Sequence, residues 1–408
     1  MLDGTIRRAR EYSGIYCKRA SPVHYWRRKN HRPCRKGPEL HVFTVCSARL
    51  RYSLLDTVGA VFAGRAPNQM VADLKHARQG RAYGFISVLL LLTLLLAASP
   101  SSVPGQSTEQ ARLELTEEAM GASFSLVLVG PDRAGLESAA AAAFAEVHRL
   151  DRMLSNYLVD SEWSAMNRSA AKGPFPVSPE LFTVLSSCLE YSRQSSGAFD
   201  VTVGPLIKVW GFYKGEGEMP KPQEVKDALH RVGYWQVQLD PGPGTVRFLH
   251  AGMDLDPGGI GKGYAVDRMV EVLKRAGIRI ALVSASGSSI YGLGAPPDEP
   301  EGWPITIRTP RDPSAVAAQV ALKDMSLSTS GSYEKFFWAE GRTYSHIFDP
   351  RTGYPAQGTS AVSVLAPRTI DSEAWTKPFF INGRAWTATH KPRGFRVFFC
   401  QDVCEWVE

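Results

Sequence analysis

Fifteen residues, Phe85–Ser99 (FISVLLLLTLLLAAS), decide how much of this chain is free to build a globular fold. Lys75, Arg78 and Arg81 stand ahead of this apolar run, and a stretch rich in Pro, Ser, Gly and Gln follows it through Gln110. Basic residues, an apolar run and then small residues are the layout of a secretory signal. The run is also shorter than the roughly 20 residues that span a bilayer comfortably. The alternative is an uncleaved anchor that keeps the chain on the membrane. No Cys stands close behind the run to carry a lipid. Either reading exports what lies downstream, to the periplasm or the outer face of the cytoplasmic membrane, and leaves residues 111–408 as the working domain.

Charge divides at the same place. The chain as a whole carries +7, but residues 1–69 hold 14 Lys and Arg against 4 Asp and Glu. That segment is +10 and the remainder −3, so the working domain carries no nucleic-acid footprint. Blocks such as HYWRRKNHRPCRKG show neither a helical nor a strand period, and Cys17, Cys34 and Cys46 lie among them. The leader reads as a disordered basic tail, a small metal site or a segment that is not translated. Met70 stands where a signal peptide with this basic region would begin, which favours translation from Met70 and makes residues 70–110 the signal or anchor with its linker. Export places the remaining cysteines in an oxidising setting. Cys188 lies on an apolar helical face and is expected to be buried. Cys400 and Cys404 either close a short disulfide or do not, according to the geometry of their loop.

Within the working domain Phe124, Leu126 and Leu128 alternate with Ser125, Val127 and Val129, as in a mostly buried strand. Leu136, Ala140, Ala143, Phe144, Val147, Leu150 and Leu154 recur at helical spacing. Ser178 and Pro179 open a second helix that Gly197 lies beyond. Val237–Phe248 reads as a hairpin turning on Pro and Gly, and Tyr264–Ala276 as a third helix ended by Gly277. Strands are expected at Ile280–Val283, Thr306–Arg308 and Ser360–Leu365. Interleaved helices and hairpins without sustained βαβ alternation predict a single α+β domain of mixed sheets and helices and disfavour a doubly wound sheet.

Four segments dense in Gly, Pro and polar residues are the candidate site. In SGAFDVTVGPLIKVWGF, Asp200 sits among apolar residues where it either accepts hydrogen bonds from a ligand or caps its own loop, with Trp210 in the core. In DLDPGGIGKGYAVDRM, four glycines lead into a helix whose first turn holds Lys262. That pattern suits a phosphate at a helix N-terminus, or else a structural turn. Its spacings match neither a Walker loop nor a dinucleotide fingerprint. In TYSHIFDPRTGYP, His346 on a strand is a candidate general base, since an ordinary imidazole pKa near 6.5 suits removing a hydroxyl proton. A lone His is more often structural. In DSEAWTKPFFING, carboxylates and a Thr hydroxyl are hard oxygen ligands of the kind magnesium takes. The plainer reading there is a helix cap followed by a core strand.

Taken together and in this order, these segments resemble the ApbE-type FAD:protein FMN transferases. The likeness begins at MGASFSL (Met120), continues in LDRMLSNYLVDSEWSAMN (Leu150–Asn167), and runs through SGAFDVTVGPL, LDPGGIGKGYAVD, SLSTSGSYE and SHIFDPRTGYP. The resemblance implies that FAD and magnesium are bound, the pyrophosphate is cleaved, and FMN is attached to a Thr or Ser hydroxyl of an exported acceptor protein, with release of AMP. By position it implies FAD contacts at Met120, Tyr157, Ala198, Phe199, Asp200, Asp256, Lys262 and Ile347, a metal-facing carbonyl at Gly259, and a base at His346.

Two departures bear on this. Gly287-Ser288-Ser289 stands where the family shows Gly-Gly-Asp. More seriously, the family's metal-binding Asp and Thr, four residues apart, fall on Glu373 and Lys377, with LAP before and FFING after fixing the register. Glu373 can still ligate a cation and Thr376 can supply a hydroxyl. Lys377 puts a positive charge where the family has a neutral ligand, and two cations about 4 Å apart repel by roughly 4 kcal/mol in a partly screened site. Magnesium is therefore expected to bind weakly, with the ammonium touching Glu373 or the FAD phosphates. Three functions compete: FMN transfer, hydrolysis of FAD, and flavin binding without catalysis.

Overall fold

Strand pairing sets the architecture. The computed structural model describes residues 110–215 and 217–408. The leader, the Met70 start, the apolar run and its export signal, and Cys17, Cys34 and Cys46 lie outside the described residues. Eight strands form one sheet: β1 (Ala111–Ala119), β2 (Ala122–Gly130), β3 (Ile280–Ala285), β4 (Ser289–Leu293), β5 (Met325–Gly331), β6 (Ala361–Ala366), β7 (Arg396–Cys400) and β8 (Cys404–Val407). Their order in the sheet is their order in the chain, and every neighbouring pair is antiparallel. The sheet is thus a meander interrupted by long excursions, the longest being residues 131–279 between β2 and β3. β6 is buried along its whole length, so its run Ala-Val-Ser-Val-Leu-Ala does not alternate, whereas β1 at the edge leaves most residues exposed.

Seven helices occupy the excursions: α1 (Arg133–Leu154), α2 (Glu162–Ser169), α3 (Pro179–Gln194), α4 (Gly204–Val209), α5 (Pro222–Leu229), α6 (Gly261–Arg275) and α7 (Thr369–His390). α1 starts where the Asp132 carboxylate accepts the Ala134 and Gly135 N–H groups, and its expected apolar stripe is buried. Ser178 caps α3 with Pro179 in the first turn, and Gly197 follows the helix at positive φ. α2, α4 and α5 were not foreseen from the sequence. They are short, and their apolar residues are too few to show a period.

α1, α6 and α7 cover one face of the sheet, where Phe124, Leu126, Leu128, Val283, Val364 and Phe399 meet helix residues such as Leu150, Met269 and Phe379. The hairpin Trp303–Arg308/Val316–Leu322 covers the other face, over Val129, Ile290, Leu327, Leu365 and Phe398. A third cluster, around Leu206, Trp210, Phe212, Val225 and Phe348, joins two of the candidate segments, and the Trp210 indole N–H donates to the Gly353 carbonyl at 2.9 Å. The Cys400–Cys404 disulfide forms across the β7–β8 turn, and Cys188 is buried on α3.

Two expectations need correction. His346 lies in the bend directly after the strand Arg342–Ser345, and its N–H still donates to the Lys335 carbonyl at 3.1 Å, one rung past the Phe336–Ser345 pair. The segment from Asp371 is helix rather than cap and strand. Its helical run passes Pro378 and breaks only at Gly383, where φ is 80°.

Candidate functional site

The head of α6 organises the site, and its alternate glycines explain how. A methyl group at Gly259 would stand 2.9 Å from the Phe199 ring, and one at Gly261 would stand 3.4 Å from the Met120 methyl. At Gly263 it would stand 2.5 Å from the Thr369 carbonyl oxygen and 2.9 Å from Glu373 Oε2. Small residues here let Met120, Phe199 and α7 close on the helix head.

Glu373 is 3% exposed, and both its oxygens are engaged. Oε2 accepts the Gly263 N–H at 2.5 Å, and Oε1 lies 3.4 Å from Lys262 Nζ. The anion at this helix N-terminus is therefore the protein's own carboxylate, where the glycine pattern had suggested a phosphate. Lys377 Nζ donates to the Glu373 main-chain carbonyl at 3.0 Å, and Thr376 Oγ1 donates to the same oxygen at 2.7 Å. Thr376 also pairs with Ser330 at 2.7 Å, while Ser326 and Ser328 both reach Ser372, at 3.0 and 2.7 Å. Alternate hydroxyls of β5 thus meet hydroxyls one turn apart on α7, which accounts for the SLSTSGS string.

This arrangement bears on magnesium. Of its expected donors, the Glu373 carboxylate already holds a backbone N–H and an ammonium, and the Thr376 hydroxyl is engaged by Ser330 and by the Glu373 carbonyl. Gly259 ends a tight turn against Phe199. Among the described residues no group of three or more His, Cys, Asp and Glu is gathered for a metal. With two ammonium groups on the one carboxylate residue, the set does not fit a magnesium ion.

His346 is half-buried, with the Phe212 ring centroid 6.4 Å away. Its Nδ1 lies 3.2 Å from the Lys335 carbonyl oxygen. A carbonyl only accepts, so Nδ1 carries the proton and Nε2 keeps a lone pair. Burial holds the imidazole pKa down at about 4; the bond to the Lys335 carbonyl opposes the shift, and the charges of Lys335, Lys377 and Lys262 reinforce it. The structure therefore brings His346 within electrostatic reach of both site lysines. Lys377 is itself lowered to about 8 by burial, which Glu373 opposes and Lys262 adds to.

A second cluster adjoins this one through Asp256–Gly259. Asp256 accepts the Gly258 N–H at 2.8 Å and the Asn156 amide N–H at 2.5 Å, and burial with neighbouring Asp254 raises its pKa. Tyr157, 63% exposed, stacks on Tyr213 with centroids 5.1 Å apart, and the Tyr213 hydroxyl donates to the Asn156 carbonyl. The pair is a ready-made flat surface at the rim. Asn156 and Tyr213 escaped the sequence reading. Asn156 lies within the Leu150–Asn167 motif, whereas Tyr213 carries no signal in the sequence around it.

Asp200 differs in kind. Its carboxylate is buried and accepts the Thr202 N–H and hydroxyl (2.8 and 2.6 Å) and the Tyr234 N–H (2.8 Å). Burial raises its pKa to about 6 despite those bonds. It holds the loop that presents Phe199. Ala198 and Ile347 are both buried, and the Ile347 carbonyl accepts the Ala356 N–H at 2.8 Å.

Residues 120–399 match the family model described as the ApbE family. The FAD:protein FMN transferase of Treponema pallidum is 34% identical over 254 residues, covering 59% of this chain and 70% of that protein. A Klebsiella pneumoniae protein of the same name is 30% identical over 307 residues, covering 73% and 87%. Among solved structures, the ApbE protein of Thermotoga maritima superposes with a TM-score of 0.68 at 28% identity, covering 73% of this chain and 97% of that one. The apo form of Pseudomonas stutzeri flavinyl transferase ApbE gives 0.66 at 28%, covering 73% and 95%.

Proposed function

The chain belongs to the ApbE family, and from that premise we propose that it is an FAD:protein FMN transferase. It moves FMN from FAD to a Thr or Ser hydroxyl of an acceptor flavoprotein. The acceptor oxygen attacks the flavin-side phosphorus, the bond from that phosphorus to the bridging oxygen breaks, and AMP leaves with the bridging oxygen. The hydroxyl proton passes to His346 Nε2. The observation that carries this reading is the Lys335 carbonyl on Nδ1, which fixes the tautomer a general base requires. The ring is neutral at working pH with Nε2 open to a proton, and is a weaker base than an imidazole at the ordinary 6.5; the lysine cations, which depress it, meet the phosphate charge. The Tyr157–Tyr213 pair offers a stacking surface for one ring system of FAD, and Asp256 with Asn156 offers polar groups beside it.

The acceptor is exported, as is the enzyme itself, with residues 111–408 as the working domain and Phe85–Ser99 as the signal or membrane attachment. The basic residues ahead of that run support this part of the reading.

Incubating the protein with FAD and a Thr- or Ser-bearing acceptor, followed by in-gel flavin fluorescence and AMP measurement, tests the proposal. A fluorescent acceptor with matching AMP is expected. AMP without a labelled acceptor would make the protein a hydrolase, and FAD binding with neither product would make it a binding protein.

A further inference from the structure

We propose that this site meets the phosphate charge of its ligand with two ammonium groups, Lys262 and Lys377, set on either side of Glu373, and that it does so without a divalent cation. The proposal rests on the transferase reading only for the identity of the phosphate ester. Three contacts carry it. Lys262 Nζ lies 3.4 Å from Glu373 Oε1, the Gly263 N–H holds Oε2 at 2.5 Å, and Lys377 Nζ sits 3.0 Å from the main-chain oxygen of the same residue. Glu373 is thereby a positioning residue, with its carboxylate aiming one ammonium and its carbonyl the other. Two ammonium groups against one carboxylate leave a positive charge uncompensated within the cluster. His346, whose pKa both lysines help to hold at about 4, adds no charge at neutral pH. Both lysines are only partly buried, so each keeps N–H donors for an incoming anion. An ammonium is a compact point charge that binds phosphate without fixed geometry, so two of them can serve where an octahedral ion would need ordered oxygens.

The test is FAD binding by calorimetry to wild type and variants, in EDTA and in millimolar magnesium, beside the transfer assay. Wild type is expected to bind equally in both buffers. Lys377→Met should weaken binding about tenfold in EDTA, and Lys377→Arg should recover it. The double variant Glu373→Asp/Lys377→Thr, which restores the family's pair, should become magnesium-dependent and bind Mn²⁺ by electron paramagnetic resonance. Thermal unfolding identifies any variant that fails to fold, and Lys377→Gln then takes the place of Lys377→Met. Wild-type binding lost in EDTA, or Lys377→Met binding like wild type, would overturn the ammonium site while leaving the transferase reading intact. Binding in EDTA without transfer would do the reverse. No FAD binding in either buffer would remove both.

Discussion

A residue's task here depends on what its polar atoms have left to offer. Asp200 and Asp256 look alike in the sequence, each a buried-looking Asp beside glycines. The first is saturated by Thr202 and Tyr234, and the second faces Asn156 at the rim near Tyr157. Asp256→Ala is therefore expected to weaken FAD binding at least about tenfold, and calorimetry on folded protein checks it. Asp200→Ala should instead lower the melting temperature. His346→Ala should slow transfer by about 10²–10⁴-fold with FAD binding kept. Its folded pKa, about 4, lies below the unfolded value near 6.5. The neutral ring's share of stability is thus present above pH 6.5 and is lost as pH falls through about 4. The acid limb of kcat/KM is expected near pH 4, and a limb at 6.5 would remove His346 as the base. Residue types were legible in the sequence because chemistry constrains them. Which oxygens remained free was not, since Tyr234 and Asn156 reach these carboxylates across tens of residues of chain.

At the scale of elements, α1, α3 and α6 announced themselves through stripes and caps, whereas α7 did not. It has no side-chain cap of its own, because Arg368 fills the position before it. Asp267 on α6 supplies the cap instead, accepting the Thr369 and Ile370 N–H groups at 2.7 and 2.9 Å. No local signal predicts a cap that comes from another helix, and Pro378 disfavours helical geometry at the residue before it. Asp267→Ala should cost about 1–2 kcal/mol, read as a lower urea midpoint with an unchanged slope. Gly263→Ala should be harsher than a surface Gly→Ala change. Its methyl would meet backbone at Thr369, so α7 must shift and carry Lys377 away from Lys262. Loss of FAD affinity out of proportion to loss of stability is the expected mark.

For the whole molecule, the α+β class followed from interleaved elements, but the order of the sheet was hidden because its strands are scattered through the chain. Phe124–Val129 and Ile280–Val283 each read as a strand, and nothing in either named the other as partner. The same scatter has a meaning in time as well as in space. β2 pairs with β3, and residues 131–279 must be synthesised between them. A chain that emerges from its N-terminus therefore presents the β1–β2 hairpin with one edge unsatisfied until almost the whole helical excursion has followed. The completed sheet is a late event with a high loop-closure cost. If the chain is exported before folding, that waiting interval falls outside the cytoplasm, where an unpaired apolar edge is exposed to proteases. A chain ending before Ile280 should be degraded or aggregate, although it contains Asp256, Lys262 and the whole of α6.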